Sequence, residues 1–171
     1  PALYGRISTI PVGEDFVLGG LEVRAFHTPH DTQESVGYKI ISSGRAFALT
    51  TDMGHVSEEV LTELIGVNVA VLEANHDITM LKNGPYPNVL KKRILSDRGH
   101  MSNRLCSRLA GRLFENGAEK LILGHLSREN NTPELAYETV KQGLEACGGY
   151  TGVNVELYVA PRAENGPVLE V

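Results

Sequence analysis

Hydrophobic and polar positions alternate over short distances in the first third of the chain. The runs YGRISTI, LEVRAFH, VGYKIIS and RAFALTT are rich in β-branched and aromatic residues, and the glycine-containing turns VGED, LGGL and SSGR separate them. Short runs of this composition, bounded by glycine turns, are typical of β-strands. The pattern therefore predicts antiparallel strands joined by hairpins.

The hydrophobic pattern becomes helical after Asp52. Residues 57–65 begin with Ser57 and two glutamates, and the apolar positions are 60, 61, 64 and 65. This spacing predicts a short amphipathic helix with Ser57 as its N-cap. Three more helices are predicted: YPNVLKKRILS with Pro87 in its first turn, SNRLCSRLAGRLFENG with Ser102 or Asn103 as cap and Gly117 as stop, and TPELAYETVKQGLEACG with Thr132 as cap and Pro133 at its first position.

Apolar runs between these helices predict buried strands of the kind found in parallel sheets. They are residues 67–72, AEKLILGH and VNVELYVA. The second half of the chain therefore alternates helix and strand, which is typical of an α/β fold. We predict an α/β protein with antiparallel strands first and α/β alternation afterwards, and we expect residues 1–171 to form a single domain.

Composition and charge narrow the class of protein. The chain has 171 residues, 42% of them hydrophobic and 22% charged, which is ordinary for a globular domain with its own core. The net charge of −5 gives no overall electrostatic reason to bind nucleic acid, although it leaves a local basic patch open. Cys106 and Cys147 are far apart in helix-like segments, and the N-terminus has no signal-peptide pattern. We expect a cytoplasmic location and no membrane partner.

Polar residues with metal-binding side chains follow the predicted strands at their C-terminal ends. His30 and Asp31 follow LEVRAF, Asp52 follows RAFALT, Glu73, Asn75, His76 and Asp77 follow VAVL, and His125 follows LILG. Sites in open α/β sheets form outside these ends, because the loops converge there. Histidine and carboxylate side chains suit Zn²⁺, Mn²⁺ or Fe, and a carboxylate such as Asp52 can bridge two metals.

Each of these residues also has a non-functional interpretation. A histidine after a strand, such as His30, is more often a solvated or hydrogen-bonded loop residue. TDMG fits a type I turn that begins with its aspartate, and GHLS fits a helix start with Ser127 as N-cap. Glu73 and Asp77 could be solvated. Their joint occurrence at strand ends favours a functional site.

Five longer runs resemble the metallo-β-lactamase superfamily and, within it, the YycJ/WalJ-like group. They are HDTQESVGYKI, TDMG, LEANHDITMLKNGPYP, LKKRILSDRGHMSN and LGHLSRENNTPELA, and they extend over nearly the whole chain. TDMG and the spaced histidines are weakly specific. The ordered series EANHD, YP, LKKRI, GHMSN and GHLSRENN is highly specific, because no structural rule requires that order. The resemblance implies part of an αββα sandwich, about its C-terminal two-thirds.

The resemblance also implies roles for individual residues. His30, Asp52 and His125 resemble metal ligands, with Asp52 as the bridging aspartate, and His27 has no counterpart. We expect catalytic roles for Asp52, His100 and His76. The residues expected to support the site or contact the substrate are Asp31, Glu73, Asn75, Asp77, Asn103 and Ser127.

The HxHxDH motif that defines the superfamily is absent from these 171 residues. In the superfamily this motif lies in an N-terminal segment that precedes the part resembled here, and that segment supplies further strands. We therefore expect this chain to be cut from a longer protein and to hold only part of the metal centre. A homo-oligomer that buries the surface left by the missing segment is a further expectation, because open sheet edges associate.

The resemblance implies a metal-dependent phosphodiesterase, a 5′-to-3′ DNA exonuclease in the intact protein. Two divalent metals, Zn or Mn or alternatively Fe, would activate water there. In this chain alone the site would be partial or empty, and we expect no nuclease activity from it. The basic runs LKKRI and SDRGHMSNR are candidate contacts for DNA phosphates, against the alternative of a solvated helix face. Two other functions remain open, namely a cyclic phosphodiesterase or thioesterase of the same fold and a non-catalytic interaction domain.

Overall fold

The structure is a computed structural model, and it describes residues 9–171. Its elements in chain order are β1 (Asp15–Leu18), β2 (Leu21–His27), β3 (Val36–Ser42), β4 (Arg45–Thr50), α1 (Glu58–Leu64), β5 (Val69–Glu73), α2 (Ile78–Asn83), α3 (Asn88–Ile94), α4 (Asn103–Glu115), β6 (Lys120–Gly124), α5 (Pro133–Ala146) and β7 (Glu156–Val159). The predicted strand YGRISTI lies mostly outside the described residues.

The strands of the described residues form one seven-stranded sheet, in which their order is their order along the chain. Neighbouring strands from β1 to β4 are antiparallel, and neighbouring strands from β4 to β7 are parallel. This topology confirms the predicted fold class, with hairpins first and α/β alternation afterwards. No helix within residues 9–171 combines the length and apolar character needed to cross a membrane.

The sheet register brings the C-terminal ends of four strands to one edge. Thr50 at the end of β4 pairs with Leu72, and Glu73 at the end of β5 pairs with Gly124 of β6. β2 runs in the same direction as β4, because each is antiparallel to β3. The loops that follow β2, β4, β5 and β6 therefore leave the sheet side by side.

A hydrophobic core joins the helices to one face of the sheet. Alternate strand residues such as Ala48, Leu72 and Leu123 are fully buried in it, together with Leu64 of α1 and Leu144 of α5. α1 packs on β2 and β3, α4 packs on α5, and α5 also contacts β7. Burial of apolar helix faces against a sheet is the main stabilising term in such a fold.

Side-chain caps fix the start of four helices. Ser57, Ser102 and Thr132 cap α1, α4 and α5 as predicted, and each accepts a hydrogen bond from a backbone N–H three residues later. Asp77 caps the unpredicted helix α2 by accepting from the N–H of Met80 at 2.8 Å. Pro87 lies just before α3 and not in its first turn, a correction of one residue.

Gly99 lets the loop between α3 and α4 fold back onto α3. A Cβ at this position would lie 2.2 Å from the carbonyl oxygen of Ile94, so that no side chain fits there. The close approach brings the Gly99 carbonyl to 2.9 Å from Nδ1 of His30. The loop that carries His100 is thereby joined to the loop that follows β2.

Candidate metal centre

Three histidines and an aspartate converge at the C-terminal edge of the sheet. His30 follows β2, Asp52 follows β4, His125 follows β6, and His100 lies in the loop between α3 and α4. Asp52 Oδ1 lies 3.8 Å from His30 Nε2, 3.6 Å from His100 Nδ1 and 3.5 Å from His125 Nδ1. All four side chains line a cavity of about 590 Å³. The structure thus brings together the three predicted metal ligands and two of the three predicted catalytic residues, Asp52 and His100.

The three imidazoles form a row along this cavity. The ring centroids of His30 and His100 are 4.9 Å apart, and those of His100 and His125 are 5.3 Å apart. Both ring pairs are tilted, by 52° and 55°. The middle ring belongs to His100, which therefore neighbours both of the histidines predicted as ligands.

Glu73 is a fully buried carboxylate that contacts two of these histidines. Its Oε1 lies 2.7 Å from His100 Nδ1 and 2.8 Å from His125 Nδ1. Its Oε2 accepts the backbone N–H groups of Met53 at 3.0 Å and Met101 at 3.2 Å. An ionised carboxylate can only accept, so that both imidazoles donate from Nδ1. Glu73 therefore fixes the orientation and the tautomer of His100 and His125.

The pKa values of this cluster are consistent with an ionised Glu73. Burial alone raises the pKa of Glu73, but the hydrogen bonds from His100, His125 and the Met53 backbone outweigh it, and the pKa lies below its ordinary value. The hydrogen bond to Glu73 raises the pKa of His125, against the opposing effect of burial. Mutual stabilisation of a carboxylate and an imidazole is the usual cause of such paired shifts.

Asp52 and Glu73 differ in how many carboxylate lone pairs remain free to bind a cation. The Glu73 carboxylate is buried and already accepts from four donors. The Asp52 side chain is 41% exposed, and its carboxylate accepts no hydrogen bond from residues 9–171. A cation in the cavity would therefore find free carboxylate lone pairs at Asp52 and not at Glu73.

Asp52 and His125 both have left-handed backbone conformations. Their φ angles are 54° and 55°, and such a conformation costs a non-glycine residue about 1–3 kcal/mol. The Ser35 hydroxyl donates to the Asp52 carbonyl oxygen, and Asn75 Nδ2 donates to the His125 carbonyl oxygen at 3.0 Å. These bonds hold two strained residues after β4 and β6, on either side of β5, and strain of this kind often accompanies a functional site.

The donor set fits a divalent transition metal. His30 Nδ1 contacts a backbone carbonyl, and Nδ1 of His100 and His125 contacts Glu73. Metal-binding histidines commonly donate one ring N–H to such an acceptor and keep the other nitrogen for the metal. Asp52 adds an oxygen ligand, and a mixture of imidazole and carboxylate suits Zn²⁺ or Mn²⁺.

Asp31 and Arg93 form an ion pair on the wall of the cavity. The Arg93 guanidinium donates to both carboxylate oxygens, with Nη2 at 3.0 Å from Oδ1. The hydrogen bond from Arg93 lowers the pKa of Asp31 to about 2. Asp31 and Glu73 are both among the residues expected to support the site. The structure places Glu73 against His100 and His125, whereas Asp31 pairs with Arg93 and has its Oδ1 3.5 Å from His30 Nε2.

His76 and Asn103 are buried and do not line the cavity. Both ring nitrogens of His76 lack a hydrogen-bond partner among residues 9–171, and burial lowers its pKa to about 4. Asn103 bonds to Asn131. The catalytic role of His76 stays a prediction, and its position away from the cavity wall does not support it.

The remaining sequence candidates are divided between the cavity and its surroundings. Asn75 and Ser127 line the cavity, whereas the Asp77 side chain serves as the cap of α2. Ser127 does not begin a helix, because α5 begins at Pro133 with Thr132 as its cap. The side chain of His27 is 60% exposed beside Glu59, consistent with its interpretation as a bystander.

The cavity wall also contains residues that the sequence did not single out as site residues. They are Tyr86, Gly99, Leu126, Arg128 and Glu129, together with Leu90, Arg93 and Ile94 of the run LKKRI. Arg128 forms no ion pair within the described part of the chain. Its position directly after GHLS was the available signal, but a lone arginine in a polar loop is ordinarily solvated.

Comparison with known proteins assigns a family to this arrangement. Residues 3–126 match the Beta-lactamase superfamily domain. Exodeoxyribonuclease YycJ of Bacillus anthracis is 37% identical over 161 residues, which are 91% of this chain and 61% of that protein. Exodeoxyribonuclease WalJ of Streptococcus pneumoniae is 33% identical over 160 residues, which are 94% of this chain and 60% of that protein. The chain thus spans about three fifths of the length of these curated relatives.

A solved structure shares the fold at low sequence identity. The metallo-β-lactamase fold protein YhfI from Bacillus subtilis superposes with a TM-score of 0.63 and 15% identity, over 88% of this chain and 51% of that chain. At this identity the likeness concerns the fold alone. The same architecture of sheet and helices therefore exists in a protein of very different sequence.

Proposed function

Because the chain belongs to the metallo-β-lactamase superfamily, we propose that it forms the metal-binding part of a phosphodiesterase that degrades DNA. The observation that carries the proposal is the convergence of three histidines and Asp52 beside the buried Glu73 carboxylate. Two relatives named exodeoxyribonucleases support DNA as the substrate. The resemblance of the sequence runs supports a 5′-to-3′ direction.

His30, Asp52 and His125 are the residues that would hold the metal. When bound, divalent cations at such a site lower the pKa of water and polarise a phosphoryl oxygen. Asp52 supplies the carboxylate with free acceptor capacity. Glu73 orients His125, and the Gly99 carbonyl orients His30. The imidazoles are therefore held in place before a cation arrives.

His100 would transfer a proton to the leaving oxygen of the phosphodiester. Its Nδ1–H is committed to Glu73, so that its second nitrogen is the one available to a substrate in the cavity. Imidazole is the side chain best suited to proton transfer near neutral pH. The Glu73 carboxylate stabilises the ring when it carries both protons.

Arg128 on the cavity wall, together with the part of the Arg93 guanidinium that does not donate to Asp31, would contact the phosphates of the DNA backbone. Arginine presents a planar set of donors that matches phosphate oxygens. Aromatic residues make up only 6% of the chain, and Tyr86 is the aromatic side chain of the wall in the described residues. The site is therefore suited to holding the backbone, which carries no sequence information, more than to reading bases.

Digestion of 5′-phosphorylated duplex DNA tests the proposal. The assay uses the protein in the form that its organism produces, with Mn²⁺ present. We expect it to release nucleotides from the 5′ end of this DNA. His125→Ala should lower the rate by about 100-fold or more, since even the loss of a supporting partner costs a metal site about 10–100-fold. His27→Ala, which removes an exposed histidine outside the cavity, should leave the rate unchanged. Hydrolysis of cyclic dinucleotides or thioesters, with no action on DNA, would contradict the proposal.

A further inference from the structure

Three asparagines from separate segments meet in a buried network behind the candidate metal centre. Asn75 follows β5, Asn103 is the first residue of α4, and Asn131 lies just before the cap of α5. Their exposed fractions are 8%, 1% and 4%. Each belongs to one of the runs EANHD, GHMSN and GHLSRENN, and a buried amide is costly unless it is hydrogen-bonded.

Asn131 lies at the centre of this network. Its Nδ2 donates to the carbonyl oxygen of Ala74 at 2.7 Å, to that of Asn75 at 3.2 Å and to Asn103 Oδ1 at 2.8 Å. Its Oδ1 accepts from Asn103 Nδ2 at 2.8 Å and from the N–H of Thr132 at 3.0 Å. One side chain thus joins the loop after β5, the start of α4 and the start of α5.

The network reaches two histidines through Asn75. Asn75 Nδ2 donates to the His125 carbonyl oxygen, and the Asn75 carbonyl oxygen accepts from the N–H of Ser127 at 2.7 Å. The Asn75 N–H donates to the carbonyl oxygen of Met101, the residue after His100, at 2.9 Å. The backbones beside both histidines are therefore attached to Asn75, and Asn75 is attached to Asn131.

We propose that Asn131 is a positioning residue that sets the relative placement of His100 and His125. Both imidazoles donate to the same atom, Glu73 Oε1, so that a small displacement of either loop lengthens one of the two hydrogen bonds. Asn131 does not line the cavity and acts only through the loops. The inference rests on the proposed function only where it treats the two histidines as part of a metal centre.

The variant Asn131→Asp tests this role with almost no change of shape. It keeps the accepting oxygen but replaces the donating amide with an oxygen that faces three acceptors. Repulsion between the new oxygen and these acceptors should move the loops that carry them, because a buried polar group without its hydrogen-bond partner is strongly unfavourable. In metal-free wild-type protein, heteronuclear NMR spectra should show the hydrogen-bonded Nδ1–H signals of His100 and His125. At least one of these two signals should shift or disappear in Asn131→Asp.

Titration with Mn²⁺ gives a second measurement. We expect the affinity to fall by about 10–100-fold in Asn131→Asp, the usual effect of losing a residue that supports a metal ligand. Asn131→Ser, which is smaller and neutral, provides a second variant if the aspartate prevents folding. As in Asn131→Asp, at least one imidazole signal should shift or disappear in Asn131→Ser, and the Mn²⁺ affinity should fall.

Val140→Ala separates positioning from general stability. Val140 is fully buried in α5 and belongs to the hydrophobic core. This variant should unfold at a lower urea concentration and still show wild-type imidazole signals and wild-type Mn²⁺ affinity. The comparison therefore isolates the effect of the amide network on the histidines.

Unchanged imidazole signals in folded Asn131→Asp or Asn131→Ser protein would overturn the positioning role. Equal weakening of Mn²⁺ binding by Val140→Ala would overturn it as well, since stability would then explain the effect. If the wild-type protein binds no Mn²⁺ but its imidazole signals respond to Asn131→Asp, the proposed metal function fails and the positioning role stands.

Discussion

At the scale of single residues, the Glu73 side chain organises more of the site than any ligand candidate. One carboxylate joins two imidazoles and two backbone amides that come from the loops after β4 and β6 and from the segment before α4. Glu73→Gln keeps the shape but replaces one accepting oxygen with a donor. We expect the free energy of unfolding to fall by about 2–4 kcal/mol, because a buried charge network loses its acceptor. Urea unfolding measures this loss.

The outcome for Glu73→Gln can be separated from a simple loss of charge. Glu115→Gln removes the same charge from the C-terminal end of α4, outside the cavity lining, and should change the free energy of unfolding by less than about 0.5 kcal/mol. A Glu73→Gln protein as stable as wild type would show that the four donors find other partners.

His76 makes the stability of the protein sensitive to acid. Its pKa is about 4 in the folded protein because burial disfavours the charged ring, and it is about 6.5 in an unfolded chain. The unfolded state therefore binds more protons between these values. The stabilisation is fully present above pH 6.5 and is lost as the pH falls toward 4, by about 3 kcal/mol in total.

The variant His76→Phe checks this acid sensitivity, since it fills the buried site without a titrating group. We expect urea unfolding of the wild type to show a steeper loss of stability between pH 6.5 and 4 than unfolding of the variant. His27→Ala, which removes an exposed histidine, should keep the steeper wild-type slope. Parallel curves for the wild type and His76→Phe would contradict the low pKa.

At this scale the sequence predicted the positions of side chains better than their roles. His30, Asp52 and His125 lie together because the hydrophobic pattern correctly located the strand ends that precede them. The role of Glu73 depends on its burial by segments that are distant in the sequence, and the residues next to Glu73 do not indicate that burial. Asn131 precedes a helix cap, where asparagine is ordinary, so that its bonds to Asn103 and Ala74 had no local signal.

At the scale of secondary-structure elements, the loop between α3 and α4 brings His100 and the Gly99 carbonyl to the candidate ligands His30 and Asp52. Gly99→Ala would place a Cβ 2.2 Å from the Ile94 carbonyl oxygen and 2.3 Å from that of Arg93. The loop must then move, at a cost of about 1–3 kcal/mol, the range for an overpacked site. We expect weaker Mn²⁺ binding as well, because the loop that moves carries His100 and the acceptor of His30 Nδ1.

Calorimetric titration with Mn²⁺, together with urea unfolding, measures both effects of Gly99→Ala. Gly166→Ala serves as a control, since its Cβ would come no closer than 3.3 Å, to a Pro161 side-chain carbon outside the candidate centre. Wild-type stability and affinity in Gly99→Ala would show that the loop does not need this close contact.

The sequence predicted the helices and strands correctly where their hydrophobic patterns were long. The helices α4 and α5, with their caps, and the buried strands β5 and β6 were predicted from periodicity and capping residues. β1 and α2, which have four and six residues, were not predicted. Such short elements depend on their neighbours in the fold more than on intrinsic propensity.

At the scale of the whole molecule, the net charge of −5 opposes the proposed DNA binding, so that this proposal depends on local arginines. Arg128→Ala should weaken DNA binding and lower the slope of log K against log salt by about one unit, the expected loss for one phosphate contact. Fluorescence anisotropy over a series of salt concentrations measures this slope. Arg45→Ala removes the same charge from the start of β4, at the opposite end of the sheet, and should leave the slope unchanged.

The number of cations that these 171 residues hold follows from their ligands. Two metals about 3.5–4 Å apart need more donors than the three imidazoles and the one free carboxylate that converge in the described residues. We therefore predict that a chain of these residues alone binds one Mn²⁺ and does not hydrolyse DNA. Native mass spectrometry measures the stoichiometry, and nucleotide release measures the activity. DNA cleavage by this chain that depends on Mn²⁺ and disappears in His125→Ala would show that its own ligands suffice for catalysis.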